Sequence, residues 1–204
     1  MRIVAANELQ DWLSTGEVLE KDGKGPKVLR LPHGDILKIF RSRRYPPLAR
    51  WRPDALRFAK HAMRLQALGI STPAINECYW IDHTQAISAC LYVPLEGTSL
   101  DKLFMSSRSD FNALLPRLAG YIFHLHQLGI YFRSLHLGNV LLTTDGNFGL
   151  IDFLDMRFKR RPLDTRMIRR NFQHMHNYLL RRNVQEFPWE QLMEHYAQAR
   201  KASS

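Results

Sequence analysis

Short runs of alternating hydrophobic and polar residues occupy the segment from Glu17 to Phe40. A glycine-containing turn at residues 23–25 separates the first two runs, and the sequence H-G-D at 33–35 separates the second from the third. Alternation with a period of two residues, bounded by turn residues, is typical of β-strands. The pattern therefore predicts a three-stranded antiparallel meander.

The hydrophobic pattern then changes to the spacing of a helix. Leu56, Ala59, Met63 and Leu65 recur at intervals close to one helical turn, and Gly69 ends the run. Two further strand patterns follow at residues 74–81 and 86–93, on either side of a D-H-T turn. For residues 1–94 we therefore predict a five-stranded antiparallel sheet with one helix, in the order β-β-β-α-β-β.

Helical patterns dominate from residue 95 onward. We predict a short capped helix at 98–104, a long helix at 110–128 that ends at Gly129, and helices at 164–182 and 189–200. Between them, hydrophobic runs at 140–143 and 148–151 flank the sequence D-G-N, a strong hairpin signal. The sequence thus predicts one α+β domain with two lobes, a β-rich lobe at 1–94 and a helical lobe at 95–204.

The composition is that of a globular protein, but the charge is strongly positive. Of the 204 residues, 45% are hydrophobic and 24% are charged, which argues against disordered, collagen-like and coiled-coil chains. The 29 Lys and Arg residues outnumber the 19 Asp and Glu residues, which gives a net charge of +10. This excess predicts an anionic partner: a phosphate-bearing substrate, nucleic acid or an acidic lipid surface.

The positive charge is concentrated in two blocks. Residues 41–64 contain eight basic residues and one acidic residue, and residues 157–182 contain nine basic residues and one acidic residue. One block falls in each predicted lobe. Binding of an anionic partner is one explanation of this concentration, and ordinary solvated helix faces are the other.

Cysteine content and hydropathy bear on the cellular setting. Cys78 and Cys90 lie in apolar neighbourhoods and have neither C-x-x-C nor zinc-ligand spacing, so we predict buried thiols. The first residues lack the apolar core of a signal peptide, and no hydrophobic run approaches the roughly 20 residues that span a bilayer. We therefore expect a cytoplasmic protein without a transmembrane segment, with peripheral membrane contact left open.

The most informative motif lies between the long helix and the end of the hairpin. It consists of R-S-L-H-L-G-N at 133–139 and L-I-D-F at 150–153. These segments resemble the catalytic loop H-R-D-L-x-x-x-N and the metal motif D-F-G of the protein-kinase-like fold. In that fold an Asn oxygen and a carboxylate converge on Mg²⁺ that bridges nucleotide phosphates. The resemblance implies that Asn139 and Asp152 bind the metal, and it places Arg133, Ser134 and Asp152 at catalytic positions.

The same resemblance gives a nucleotide-binding role to residues of the first lobe. Lys38 belongs to the apolar strand I-L-K-I-F at 36–40, where the kinase pattern V-A-I-K has a lysine that reaches the α- and β-phosphates. Gly23 and Gly25 form the preceding turn, whose backbone N–H groups would cover phosphates. Tyr92 and Val93 fall where the hinge would hold adenine. The implied cofactors are ATP and Mg²⁺, with the nucleotide in the cleft; an outward-facing strand lysine is the alternative interpretation of Lys38.

Details within this fold resemble the bacterial lipopolysaccharide kinases, the Kdo and heptose kinases of the outer-membrane core. The loop S-L-H-L-G-N at 134–139 is similar to that group's H-x-D-L-H-x-x-N, and L-Q-A-L-G-I-S-T-P at 65–73 is similar to its L-x-x-L-G-I-x-x-P. Some members are labelled toluene tolerance proteins. The resemblance covers about residues 17–182, and the chain has no room for a long activation segment or an A-P-E motif. It therefore suits a glycan or small-molecule kinase better than a regulated protein kinase.

Two positions depart from the kinase pattern. Ser134 occupies the position of the Asp that accepts the substrate's hydroxyl proton, and a neutral hydroxyl cannot serve as that base. His61 aligns with the helix Glu that would pair with Lys38. Loss of a positioned base costs about 10²–10⁴-fold in rate. The departures leave two interpretations, slow phosphoryl transfer or a degenerate kinase.

Two residues near the loop each have alternative roles. His136 is either an assisting base, because imidazole titrates near neutrality, or a loop-packing residue. Asp155 binds a second cation, orients Arg133 or caps the loop.

From the sequence we predict an ATP- and Mg²⁺-dependent phosphotransferase-like protein of the lipopolysaccharide core kinase type. Its partners would be a nucleotide and an acidic glycolipid or anionic membrane surface, at the inner face of the cytoplasmic membrane. The first alternative is a catalytically inactive pseudokinase that acts as a binding module. The second is an RNA-associated atypical kinase, which only the positive charge favours.

Overall fold

The computed structural model describes residues 1–41 and 46–203. Arg43 and Arg44, which belong to the first basic block, lie outside the described residues. The described chain forms two compact units, Met1–Leu95 and Glu96–Ser204, which we call the first and the second unit.

The first unit is built around one β-sheet. Its elements in chain order are β1 Arg2–Ile3, α1 Ala6–Thr15, β2 Glu17–Asp22, β3 Gly25–Arg30, β4 Ile36–Arg41, α2 Pro46–Trp51, α3 Asp54–Ala67, β5 Ala74–Asp82 and β6 Ile87–Val93. The strands lie in the order β1-β5-β6-β4-β3-β2. Every neighbouring pair is antiparallel except β1 and β5, which are parallel.

The predicted meander, helix and strand pair are present, and the sheet has six strands rather than the five predicted. The additional strand β1 is two residues long, with Arg2 opposite Tyr79 and Ile3 opposite Trp80. A strand this short carries no alternating pattern, so only its pairing with β5 defines it.

The first unit also contains helices beyond the one predicted. Helix α1 places Leu9, Trp12 and Leu13 on one face, and Trp12 and Leu13 pack against a buried cluster of the sheet that includes Leu29 and Leu37. The Trp12 ring lies 5.3 Å from that of Tyr79. Leu9, Trp12 and Leu13 have the i, i+3, i+4 spacing that indicates a helix, so this helix was missing from the prediction although the sequence contains a signal for it.

Strand β4 is the most buried strand of the sheet. Its residues from Ile36 to Phe40 are all buried. Helix α3 covers the sheet with one apolar stripe, which consists of Ala55, Phe58, Ala62 and Leu65. The three- and four-residue spacing of this stripe places its members on one helix face, which explains why the helix forms here.

The two cysteines are directly opposite one another on β5 and β6, and both are free thiols. Their sulfur atoms are 3.6 Å apart. Cys90 is buried as predicted, whereas Cys78 is only half-buried because it lies on the less covered strand. The hydrogen bond that Cys90 shares with Cys78 raises the pKa of the Cys90 thiol, and burial raises it further.

The second unit consists mainly of helices. Its elements are β7 Gly97–Ser99, α4 Leu100–Ser106, α5 Arg108–Gln127, β8 Ile130–Tyr131, a 3₁₀ turn Leu137–Asn139, β9 Val140–Thr143, β10 Phe148–Leu150, β11 Arg157–Phe158, α6 Thr165–Arg181 and α7 Trp189–Lys201. Strands β10, β9 and β7 form one small sheet, and β11 and β8 form another. The predicted helices and the predicted hairpin are all present.

Helix α5 forms the centre of this unit and packs against α4 and α7. It begins after Ser107, whose Oγ accepts the backbone N–H of Asp110 at 3.3 Å. Gly129, with φ of +72°, follows its end. Its buried side chains are Phe111, Leu115, Leu118, Ala119, Ile122, Phe123, Leu125 and His126.

The observed elements confirm the predicted α+β class. A sheet with packed helices is followed by a largely helical unit that contains a β-hairpin. Among the helices in residues 1–41 and 46–203, none is long and apolar enough to cross a membrane.

Candidate active site

The loop between β8 and β9 is anchored by buried apolar side chains. Phe132, Leu135 and Leu137 are at most 2% exposed. The backbone N–H of Leu135 donates to the carbonyl of Phe132 at 3.1 Å, which closes a turn. Because the apolar residues point into the unit, the polar residues between them lie nearer the surface: Arg133 is exposed and Ser134 is half-buried.

The side chain of Asn139 is held in one orientation at the end of this loop. Its Nδ2 donates to the backbone carbonyl of Ser134 at 2.9 Å and lies 3.2 Å from Nε2 of His136. The residue is buried, with 7% of its surface exposed. Since these two contacts engage both amide hydrogens, the Oδ1 atom is the end of the amide that is left to bind a ligand.

The β9–β10 hairpin brings Asp152 near Asn139. Val140 lies opposite Leu150 in the ladder, and the N–H of Ile151 donates to the carbonyl of Asn139 at 3.1 Å. Asp152 therefore follows directly after the residue that is bonded to Asn139. Its φ is +51°, in the left-handed region that non-glycine residues rarely adopt. Such backbone strain occurs preferentially at functional sites.

The hydroxyl of Ser134 is bonded to the carboxylate of Asp155. The Ser134 Oγ donates to Asp155 Oδ2 at 2.6 Å. The second oxygen, Oδ1, is shielded from solvent and has no hydrogen-bond partner among the described residues. A carboxylate thus lies directly beside the loop position at which the kinase pattern has its Asp.

The imidazole of His136 stacks on the ring of Tyr178, a residue of α6. The ring centroids are 3.8 Å apart and the planes differ by 2°. Nδ1 of His136 is buried without a hydrogen-bond partner in the described part of the chain. These contacts favour the loop-packing role of His136 over the role of an assisting base.

Burial lowers the pKa of His136, and the nearby carboxylates of Asp152, Asp101 and Asp155 oppose this effect. Burial is the larger influence because a charged imidazole would lose its hydration in this position. His136 is therefore neutral near pH 7, and its Nε2 accepts a hydrogen from Asn139.

Two residues of this region were not anticipated from the sequence. Asp101, at the start of α4, accepts hydrogen bonds from the Ser99 Oγ at 2.5 Å and the Lys102 N–H at 2.8 Å. Its Oδ2 lies 3.1 Å from where a Cβ on Gly138 would be, so a larger residue would crowd it. Tyr178 is the second. Asp101 lies within the short helix predicted at 98–104 but was given no role there, and no local signal marks Tyr178.

Lys38, in the first unit, is buried in the middle of β4. Only 7% of its surface is exposed, and its Nζ lies 5.4 Å from the ring centroid of Phe58 and 5.9 Å from that of Phe40. The alternative interpretation of an exposed strand lysine is therefore wrong. Helix α3 contains a single acidic residue, Asp54, which lies 3.1 Å from Arg57.

The turn with Gly23 and Gly25 joins β2 and β3. Gly25 has φ of +110°, a conformation that glycine adopts readily. The backbone N–H of Lys24 donates to Asp22 Oδ1 at 2.8 Å, so this N–H already has a partner. Asp22 also lies 3.4 Å from the guanidinium of Arg41. A phosphate-binding role for this turn stays a prediction.

Tyr92 and Val93 are the last two residues of β6. Tyr92 lies opposite Ile36 of β4 and opposite Ile75 of β5, and its ring centroid is 5.8 Å from that of Phe58. Val93 is 45% exposed. Contact of these residues with adenine stays a prediction.

The candidate metal ligands fit Mg²⁺ held together with a nucleotide. Asn139 and Asp152 offer an amide oxygen and a carboxylate, which are the hard ligands that Mg²⁺ prefers. In residues 1–41 and 46–203, no cluster of three or more His, Cys, Asp or Glu side chains is arranged to hold a metal alone. Nucleotide-bound Mg²⁺ needs no such cluster, since phosphate oxygens and waters complete its coordination.

The fold and the loop arrangement define the class of protein as a kinase-like α+β protein. The model of the family described as "Lipopolysaccharide kinase (Kdo/WaaP) family" matches residues 35–196. The chain belongs to this family, which confirms the predicted resemblance and a kinase-type function. No curated protein matched the chain in a second comparison.

Proposed function

We propose that this protein transfers the γ-phosphoryl group of ATP to a sugar hydroxyl of lipopolysaccharide core. Its membership in a lipopolysaccharide kinase family supports use of ATP and a lipopolysaccharide-related substrate. The observation that carries the proposal is the hydrogen bond between Ile151 N–H and the carbonyl of Asn139, which holds Asn139 beside the residue preceding Asp152. We also propose that residues 1–94 and 95–204 correspond to the two lobes of a kinase.

In this proposal the residues of the second unit orient the phosphates. Asn139 Oδ1 and the Asp152 carboxylate would hold Mg²⁺, which supplies positive charge to the phosphate oxygens. Ser134 would face the acceptor hydroxyl, and Arg133 is exposed beside it. Positioning and charge neutralisation carry most of the catalysis in phosphoryl transfer, so the loop can act without its usual Asp.

The residues of the first unit would bind the nucleotide. Lys38 would neutralise the α- and β-phosphates, Gly23 and Gly25 would cover them, and Tyr92 and Val93 would contact adenine. The burial of Lys38 supports this role, because a buried charged amine is stabilised by groups of opposite charge, and nucleotide phosphates are such groups.

The second basic block would bind an acidic glycolipid or anionic lipid headgroups at the inner face of the cytoplasmic membrane. Its exposed members are Arg157, Lys159, Arg160, Arg161, Arg166, Arg169, Arg170, Arg181 and Arg182. Each basic residue that lies close to an anionic membrane surface contributes about 1 kcal/mol to binding of that surface.

An inactive pseudokinase is the second candidate function, and Ser134 is the observation that favours it. A hydroxyl group by itself does not accept the acceptor's proton at neutral pH. In this case the protein would keep nucleotide binding but not turnover.

Nucleotide binding tests the proposal. We expect ATP with Mg²⁺ to raise the melting temperature of the protein, and ATP without metal to raise it less. Asp152→Ala should abolish the metal-dependent part, whereas Asp11→Ala, at an exposed position on α1, should leave it unchanged. Absence of any shift would refute the ATP-dependent function. Salt-sensitive RNA binding in place of nucleotide binding would favour the RNA-associated alternative.

A further inference from the structure

We propose that Ser134 and Asp155 together replace the missing catalytic base, with Ser134 contacting the acceptor hydroxyl and Asp155 taking up the proton through it. This inference rests on the proposed phosphotransferase function. It concerns a pair of residues that are 21 positions apart in the chain, and that only the fold brings together.

The direction of the hydrogen bond between the two residues is fixed by their chemistry. A carboxylate can only accept, so the Ser134 hydroxyl donates its hydrogen to Asp155 Oδ2, at 2.6 Å. The lone pairs of Ser134 Oγ are then its available hydrogen-bonding groups. Ser134 is therefore prepared to accept a hydrogen from a second hydroxyl, which is what an acceptor sugar presents.

Only one of the two Asp155 carboxylate oxygens has a hydrogen-bond partner among the described residues. Its Oδ1 is shielded and unpartnered in the described part of the chain, so the Ser134 hydroxyl is the hydrogen-bond donor that the carboxylate has. Hydrogen bonds in series polarise one another, and an ionised acceptor strengthens them. The carboxylate thus makes the Ser134 oxygen a better proton acceptor than an isolated serine.

The backbone holds the pair in place on both sides. Strand β8 precedes the loop and strand β11 follows Asp155, and these strands pair with Tyr131 opposite Arg157. A turn with Met156 N–H donating to the Phe153 carbonyl at 3.2 Å directs Asp155 back toward the loop. The backbone on either side therefore holds Ser134 and Asp155 in position for their hydrogen bond.

The chemical step balances with these two residues alone. The acceptor oxygen forms a bond to the γ-phosphorus, and the bond between the γ-phosphorus and the bridging β,γ-oxygen breaks with its electron pair leaving on ADP. The acceptor's proton moves to Ser134 Oγ while the Ser134 proton moves to Asp155 Oδ2. Ser134 ends unchanged, and Asp155 releases the proton to water.

The pair also explains why an aspartate at the loop position would not simply restore a standard kinase. Ser134→Asp would place a second carboxylate against Asp155, and two carboxylates at this distance repel one another. We therefore expect Ser134→Asp alone to be less active than the natural protein. Adding Asp155→Asn removes the repulsion, so the double variant Ser134→Asp/Asp155→Asn should recover turnover.

The test measures transfer of ³²P from ATP to lipopolysaccharide stripped of its phosphates, together with ATP hydrolysis, in which water replaces the acceptor. We expect Ser134→Ala and Asp155→Asn each to lower kcat by about 10²-fold or more. The KM for ATP should stay within about threefold, because neither residue contacts the nucleotide. The double variant Ser134→Ala/Asp155→Asn should be no slower than either single variant, since both remove the same proton path.

Two controls separate this role from a structural one. Ser134→Thr keeps a hydroxyl and should retain activity within about tenfold. Thr143 and Asp145 form a second hydroxyl–carboxylate pair, on the β9–β10 hairpin, and Asp145→Asn should leave kcat unchanged. The shared proton path would be refuted if Ser134→Ala kept the natural kcat. It would also be refuted if the losses of kcat in the two single variants multiplied in the double variant.

The outcomes also distinguish this inference from the function on which it rests. A protein that does not bind Mg²⁺–ATP refutes the proposed function, and the pair with it. A protein that binds Mg²⁺–ATP but shows neither transfer nor hydrolysis is a pseudokinase, and this outcome refutes both proposals. A protein that transfers the phosphoryl group and keeps its natural kcat in the Ser134→Ala variant refutes the proton path alone.

Discussion

The ring of His136 lies flat on the ring of Tyr178, with centroids 3.8 Å apart and planes within 2° of parallel. Through its Nε2, the same imidazole contacts the Asn139 amide at 3.2 Å. Helix α6 thereby holds a loop residue, which in turn holds a candidate metal ligand. This chain of contacts links the packing of the second unit to the geometry of the site.

Removal of the Tyr178 ring should disturb Asn139 through His136, which contacts both residues. Aromatic pairs contribute about 0.5–1.5 kcal/mol beyond their buried area. We expect Tyr178→Ala to lower the free energy of unfolding by about 2–4 kcal/mol and to weaken Mg²⁺-dependent ATP binding. Urea unfolding and calorimetric titration with ATP measure the two effects.

Tyr178→Phe keeps the ring and serves as the matched variant for this prediction. Its free energy of unfolding and its affinity for ATP should stay near the natural values. Leu180→Ala, at a position on α6 that is 66% exposed, controls for general effects on the helix. Natural ATP affinity in Tyr178→Ala would show that the stack does not position Asn139.

Replacement of Lys38 should affect nucleotide affinity more than the fold. Methionine keeps the aliphatic length beside Phe58 but removes the charge. We expect Lys38→Met to weaken ATP binding at least tenfold, about 1.4 kcal/mol, with the circular dichroism spectrum unchanged. Lys27→Met removes a lysine that pairs with Glu20 at the surface of the neighbouring hairpin, and it should leave ATP binding as it is. Equal effects of the two substitutions would argue against contact of Lys38 with phosphates.

Alanine at Gly129 should destabilise the second unit. Gly129 has φ of +72°, and a Cβ there would lie 2.6 Å from the carbonyl oxygen of Arg161 and 2.8 Å from that of Lys159. We expect a loss of about 2 kcal/mol or more, because both neighbours are backbone atoms. Thermal unfolding should show a melting temperature lowered by several degrees.

Gly120, which lies inside α5, provides the opposite control. A Cβ at Gly120 meets no atom within 4 Å, so Gly120→Ala should raise stability by up to about 1 kcal/mol through helix propensity. If Gly129→Ala instead left the melting temperature unchanged, the backbone at residues 159–161 would have to move away from the new Cβ at little cost in free energy.

The stability of the second unit should decrease in acid because of His126. This residue is 1% exposed and is bonded to Tyr196 at 2.7 Å and to Asn171 at 3.2 Å. Burial lowers its pKa to about 4. Between about pH 6.5 and pH 4 the unfolded chain therefore binds a proton that the folded chain does not, so the free energy of unfolding falls as the pH falls.

The full effect of His126 is a loss of about 3 kcal/mol, completed below about pH 4. His126→Gln removes the titration, so the stability difference between the natural protein and this variant should shrink as the pH falls from 7 to 4. Urea unfolding across this range measures it. A constant difference would show that His126 does not titrate between folded and unfolded states.

The sequence predicted most helices and strands, because their signals are local. The D-G-N turn defined the β9–β10 hairpin, and the apolar spacing in residues 54–68 defined α3. Strand β1 could not be predicted, since two residues carry no periodicity and its ladder is supplied by β5. Helix α1 was predictable in principle from Leu9, Trp12 and Leu13.

The candidate site divides in the same way. The order of Arg133, Asn139 and Asp152 along the chain indicated a kinase-type loop and metal motif. The family comparison confirms the family and leaves the role of these residues a prediction. The sequence did not reveal that Asp155 bonds Ser134, nor that Tyr178 covers His136. Pairs 21 and 42 positions apart leave no periodic or spacing signal, because their contact depends on where whole elements lie.

The sequence by itself determined the kinase-like class, the order of the loop amide and the later carboxylate along the chain, and the presence of serine at the loop position of the kinase aspartate. These features depend on residue identity and short-range spacing, which the linear chain contains. Only the tertiary structure decided that Lys38 is buried, that Asp152 adopts a left-handed backbone conformation, and that a second carboxylate lies against the substituted serine. Burial and hydrogen-bond partners are set by the packing of distant segments, so they become determined only when the chain has folded.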